Sequence, residues 1–222
     1  MNIIETALAE KRTTLSEHES SQLLVSYGIP VARQVLVRDS ADLTEALKQF
    51  EYPIVLKGCS SEISHKTEKG LVRMDIRSET EARAAFDDIR AAMDVADPAV
   101  LVQELVRGDR QLMAGLTRDP QFGPTVMFGL GGIFTEILKD VSFRLAPLER
   151  SDALDMMRDI KGHRILDAVR GLPPVDLEAL SDVLINLGRI GDEHPHVKEI
   201  DINPLIVRGA EAVAVDALVV LE

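Results

Sequence analysis

Runs of period two and period 3.6 succeed one another along this chain, and glycine, proline and aspartate punctuate them. Ser16 to Tyr27 reads as a helix: Ser16 and Glu19 have capping-box spacing, and Gly28 and Pro30 stop it. Val31 to Val37 follows as a strand. Asp39 and Ser40 cap a helix running to about Phe50, and Pro53 to Lys57 is a short apolar strand ending in a lysine. After the polar loop Gly58 to Glu68 come a strand from Gly70 to Ile76, a Ser78-capped helix to about Val95, and a strand from Val100 to Leu105.

The second half is richer in strands. Gln111 to Leu116 alternates, Asp119 to Gly123 turns, and Thr125 to Phe128 is apolar until Gly129-Leu130-Gly131-Gly132 breaks it. Ile133 to Leu138 and Val141 to Ala146 read as two more strands, and Ser151 to Ile160 as a helix. Asp176 caps an amphipathic helix to about Ile190, and Val197 to Leu221 reads as two strands around a turn at Arg208 to Glu211. Mixed strands and helices in both halves indicate an α+β (α/β) protein of two lobes, divided near Val106-Arg107-Gly108 into 1–106 and 107–222.

Composition narrows the function. The 25 Lys and Arg against 37 Asp and Glu give a net charge of −12, which repels a phosphate backbone and argues against nucleic acid as a partner. A single nucleotide needs only one local positive site. One cysteine, Cys59, excludes an internal disulfide and fits a reducing cytoplasm. No apolar run reaches the roughly 20 residues that span a bilayer, so no membrane role is expected, and the start lacks the order of a signal peptide.

Four segments carry candidate chemistry. Along Val197-Lys198-Glu199-Ile200-Asp201-Ile202-Asn203, Glu199, Asp201 and Asn203 share one face and Ile200 and Ile202 the other. A hairpin tight at Gly209-Ala210 pairs Arg208 with Glu211, and that register sets Asn203 opposite Asp216. Asp201, Asn203 and Asp216 then converge as hard oxygen ligands suited to Mg²⁺; the alternative is a solvated edge face. Lys57 brings its ammonium to the end of an apolar strand, where it fits a phosphate contact, and the loop after it holds His65, either functional or an idle surface imidazole. The glycines at 129–132 allow close backbone approach to a ligand, or simply turn the chain. In Val141 to Ala146, Val141, Phe143 and Leu145 take one face and Arg144 the other, where it would meet an anion or solvent. Neither a P-loop nor a dinucleotide fingerprint is present.

Taken together, several boxes resemble one family. They are Leu15-Ser16-Glu17 through Tyr27-Gly28-Ile29-Pro30, Leu56-Lys57 with Ser64-His65-Lys66-Thr67-Glu68, and Val102-Gln103-Glu104. Further on are Phe122-Gly123-Pro124, Phe143-Arg144-Leu145-Ala146-Pro147-Leu148, and Glu199-Ile200-Asp201-Ile202-Asn203-Pro204-Leu205. From Leu15 to the end the chain resembles the ATP-grasp β subunit of ADP-forming acyl-CoA synthetases, including acetate–CoA ligases. It is more distantly similar to the succinyl-CoA synthetase β subunit.

The resemblance implies an ATP-grasp fold whose two lobes clamp ATP or ADP with Mg²⁺. It implies the reaction acyl-CoA + ADP + phosphate ⇌ acid + CoA + ATP, run with a CoA-binding α subunit as partner, because the chain has no segment for CoA or the acyl group. It also implies a relay in which His65 carries the phosphoryl group. Lys57 would hold nucleotide phosphates, Glu104 and Leu105 would meet adenine at the hinge, and Glu136 and Arg144 would face the cleft. Asn203 and Asp216 match the Mg²⁺ ligands, with Asp201 nearby. A stand-alone carboxylate–amine ligase or a nucleotide-binding regulatory module are the alternatives, and neither needs His65.

Overall fold

The computed structural model describes residues 3–62, 70–132, 139–169 and 171–222. The chain divides into two compact units, one of Ser16–His18 and Ala32–Leu105, the other of Met1–Leu15, Glu19–Val31 and Val106–Glu222. This differs from a single cut at 106. Residues 13–15 run along the last strand, with Leu15 N–H donating to Val219 O and Leu221 N–H to Thr13 O. Val31 forms a parallel bridge to Ala214. The N-terminal residues thus find their hydrogen-bond partners in strands near the C-terminus.

The smaller unit is an antiparallel sheet in the order β1 (Gln34–Val37), β4 (Ala99–Glu104), β2 (Ile54–Cys59), β3 (Val72–Ile76). Helices α3 (Ser40–Leu47) and α4 (Glu79–Ala92) complete it, each with the expected cap: Asp39 accepts from the amides of Ala41 and Asp42, and Ser78 from that of Glu81. Leu43, Leu47, Phe86 and Ile89 on these helices pack with Ile54, Leu56, Val100 and Val102. The period-two rule then turns Val55, Lys57 and Cys59 to the other face of β2. Val31 lies outside β1, because its bridge to Ala214 belongs to the other unit.

The larger unit holds the sheet β10 (Ala217–Leu221), β8 (Val197–Arg208), β5 (Arg110–Asp119), β6 (Gly123–Leu130), β7 (Val141–Leu145), with β9 (Glu211–Ala214) also paired to β8. Helices α5 (Arg150–Asp159) and α6 (Leu177–Glu193) join its core, and a 3₁₀ turn spans His163–Leu166. Two short N-terminal helices, α1 (Ile3–Ala9) and α2 (Glu17–Ser26), add Ile4, Ala7, Leu23 and Leu24 to that core. No pattern in the sequence singled out α1. In α2, Glu19 makes a two-pronged contact with Arg12, both oxygens at 2.8 Å.

The expected C-terminal hairpin is three strands. Pro204 has no N–H to donate, and the returning chain breaks into β9 and β10 opposite it. Val215 N–H donates to Pro204 O at 3.2 Å, which holds the two sides together across the break. The strand expected at Ile133 to Leu138 lies outside the described residues. No helix among the described residues is long and apolar enough to cross a membrane.

Candidate nucleotide and metal site

Strand β8 alternates as its sequence dictates. Ile200 and Ile202 enter the core, so Glu199, Asp201 and Asn203 fall on the opposite face; the phase then shifts by one at Asn203-Pro204, and Leu205 and Val207 return to the core. On that face Asp201 stands between Gly115 of β5 and Leu218 of β10, and the same row continues through Met127 to Phe143. A side chain at position 115 would meet the Ile200 carbonyl at 2.6 Å, so the residue beside Asp201 has to be glycine.

Asp216 lies opposite Asn203. The pairs Leu205↔Ala214 and Ile202↔Ala217 flank the break in one unchanged register. The Asn203 side chain is tied in turn to the glycine loop, because Gly132 N–H donates to Asn203 Oδ1 at 3.2 Å. Among the described residues the buried Asp201 Oδ1 has no hydrogen-bond partner. Burial, then the nearby charges of Glu199 and Asp216, push the Asp201 carboxyl up to about 6. A buried, unpartnered carboxylate oxygen among like charges is an environment that a divalent cation satisfies. Among the described residues no three His, Cys, Asp or Glu side chains form a metal-holding group by themselves. The set here is two carboxylates and an amide, which suits Mg²⁺ completed by water and phosphate oxygens.

In the smaller unit Lys57 is buried, and its Nζ donates to Glu17 Oε1 at 2.8 Å. Sequence reasoning gave Glu17 no role. The available signal was Lys57 itself: β2 continues past it to Cys59 rather than ending there, and an ammonium inside a fully buried strand needs a buried acid. Glu104 ends β4, where its Oε1 accepts from Arg33 N–H and its own amide donates to Arg33 O. Leu105 follows the strand and is half-buried.

Arg144 is placed differently from expectation. Its row runs through Val126, Leu116 and Ile200, all in the core, so it lies across the sheet from Asp201. There its guanidinium meets Asp159 of α5 at 2.6 Å. The exposed members of the same strand are apolar, Phe143 at 48% and Leu145 at 51%. Alternation fixed the two faces of β7 but not which one the helices cover. His65 and Glu136 lie outside the described residues.

The sequence matches the ATP-grasp domain family over residues 6–221. It is 44% identical to the β subunit of acetate–CoA ligase (ADP-forming) I of Pyrococcus furiosus, over 99% of this chain and 96% of that one. Among solved structures it is similar to the Candidatus Korarchaeum cryptofilum dinucleotide-forming acetyl-coenzyme A synthetase 1 in complex with coenzyme A, Ca-AMPCP and HgCl⁺. That match has a TM-score of 0.93 and 40% identity, and covers 99% of this chain and 98% of that one. A second structure of that enzyme, with coenzyme A and Mg-AMPPCP and its phosphohistidine segment pointing towards the nucleotide binding site, matches with a TM-score of 0.87 at 40% identity, over 99% and 98% of the two chains. The chain belongs to the ATP-grasp domain family, among the β subunits of ADP-forming acetate–CoA ligases.

Proposed function

We propose that this chain is the nucleotide-binding β subunit of an ADP-forming acyl-CoA synthetase and works with a CoA-binding α subunit in acyl-CoA + ADP + phosphate ⇌ acid + CoA + ATP. The observation that carries the reading is the β8 face, where Asp201 Oδ1 is buried with no partner among the described residues, next to the facing pair Asn203 and Asp216. Asn203 and Asp216 hold Mg²⁺, with Asp201 beside them. When bound, the ion offsets phosphate charge and fixes the phosphate oxygens. Lys57 lends its ammonium to the nucleotide phosphates, and Glu104 and Leu105 take the base. His65 is the group that reacts. Its neutral imidazole nitrogen forms a bond to phosphorus as the bond to the α-side donor breaks, and an ADP oxygen then displaces it to leave ATP and free imidazole.

The test is a labelling experiment on the αβ complex. With γ-labelled ATP, the chain takes up acid-labile, base-stable phosphate, and His65→Ala abolishes both that label and acyl-CoA turnover while MgADP still binds. Label or turnover surviving in His65→Ala overturns the relay and leaves an amine ligase or a regulatory module as the better reading.

A further inference from the structure

We infer that Glu17 is a positioning residue for the nucleotide site: it aims and holds the Lys57 ammonium from the first position of α2. The inference rests on the reading of Lys57 as a phosphate contact and goes beyond it by naming what orients that lysine. Glu17 and Lys57 belong to the same compact unit, although 40 residues separate them in sequence. Their contact is 2.8 Å, with the carboxylate side chain 1% exposed and the lysine side chain 9% exposed. Every residue of β2 is buried, and the register neighbours of Lys57 are Val72 on β3 and Leu101 on β4. An ammonium with apolar residues on both flanking strands is costly to desolvate and, without a fixed acid, free to take other rotamers.

A carboxylate at that point does two things. It keeps a positive charge tolerable in a buried strand, and it engages one of the three N–H directions of Nζ, which fixes how the charge is presented. Phosphate recognition depends on such fixed placement more than on the presence of charge alone. Glu17 does not touch the reacting atoms in this role. Its effect passes through Lys57, so its removal matters only while Lys57 is present.

The test is calorimetric, on the αβ complex, with MgADP and with adenosine as the phosphate-free probe, and with thermal unfolding recorded for every variant. Lys57→Met lowers MgADP affinity at least tenfold and leaves adenosine unchanged. Glu17→Gln, nearly the same shape without the charge, lowers MgADP affinity about tenfold, leaves adenosine unchanged, and adds nothing in the Lys57→Met background. Glu17→Asp keeps the charge and draws the carboxylate back by one methylene. It costs three- to tenfold in MgADP affinity and serves as the readout if the Gln variant does not fold. MgADP affinity within twofold of wild type in both Glu17 variants, with Lys57→Met impaired, overturns the positioning role and spares the Lys57 reading. A full additional loss from Glu17→Gln in the Lys57→Met background also overturns it, because the effect then bypasses Lys57. Unchanged MgADP affinity in Lys57→Met overturns the Lys57 reading itself.

Discussion

Asp216 faces Asn203 across a break in the C-terminal ladder, with paired rungs in the same register on either side of it. An acid and an amide held by two strands that cannot slip independently would make a rigid pair of oxygen ligands for the proposed Mg²⁺. Asp216→Asn keeps the shape and removes the charge, so MgADP binding weakens at least tenfold while adenosine binding is unchanged. Titration calorimetry at several Mg²⁺ concentrations measures this. Equal affinity with equal Mg²⁺ dependence would count against the pair as ligands.

Asp201 gives a pH signature. Its native value of about 6 lies above the ordinary 3.8, first because of burial and then because of Glu199 and Asp216. The folded state therefore binds this proton more tightly than the unfolded state. The group's contribution is complete below pH 4 and is lost as pH rises through 6. At about 1.4 kcal/mol per pH unit of that interval, the loss is at most about 3 kcal/mol. In EDTA, Asp201→Asn should thus gain in melting temperature over wild type progressively from pH 4 to pH 6, then hold its lead. MgADP binding near pH 6 should release protons in wild type and fewer in the variant. A melting-temperature difference that stays flat with pH would rule out this cause.

What the sequence made legible follows from period and punctuation. The caps at Asp39, Ser78 and Asp176 were readable because each side chain bonds amides two or three residues away, a local event. The placement of Asn203 opposite Asp216 was readable because Gly209 makes the turn and the register counts outward from it. Contacts between distant segments were not readable. Nothing near Glu17 announces Lys57, and nothing near Thr13 announces Leu221. Arg144 shows the same limit: period two separated it from Phe143 and Leu145, but only the packing of α5 against Ser142, whose Oγ donates to Met156 O, decides which face is inside.

Arg110 is a buried cation that serves four backbone carbonyls. Its guanidinium donates to Ile165 O and Asp167 O at 3.3 Å each, Pro173 O at 2.8 Å and Gly209 O at 3.0 Å. It thereby ties the irregular stretch after α5 to the β8–β9 turn. Arg110→Met fills similar volume but leaves those carbonyls without this donor, at a cost of roughly 2–4 kcal/mol. At about 2–4 °C per kcal/mol for a chain of this size, the melting temperature should fall by roughly 4–16 °C. Arg110→Lys recovers only part, because one ammonium cannot span the fork. Melting within about 1 °C of wild type in Arg110→Met would show that the carbonyls are satisfied otherwise.

The glycine loop joins the fold to Asn203, one of the two proposed Mg²⁺ ligands. Gly131 N–H donates to Gln111 O at 2.9 Å, and the backbone at that point lies so close to β5 that a Cβ would stand 2.2 Å from Leu112 O. The obstacle is backbone in the middle of a paired strand, so it cannot move aside as a side-chain tip would. The next residue, Gly132, is the donor to Asn203 Oδ1. Gly131→Ala must therefore lift the loop from β5 and draw Gly132 away from Asn203, at a cost of roughly 1–3 kcal/mol. Asn203 is left free to turn, and MgADP affinity falls about as far as in Asn203→Ala. In the double variant Gly131→Ala/Asn203→Ala the two losses do not add, because the loop acts through Asn203. If the loop merely closes the chain between strands, Gly131→Ala will melt earlier yet bind MgADP as wild type does at a temperature where both are folded. That outcome would separate the glycine loop from the site.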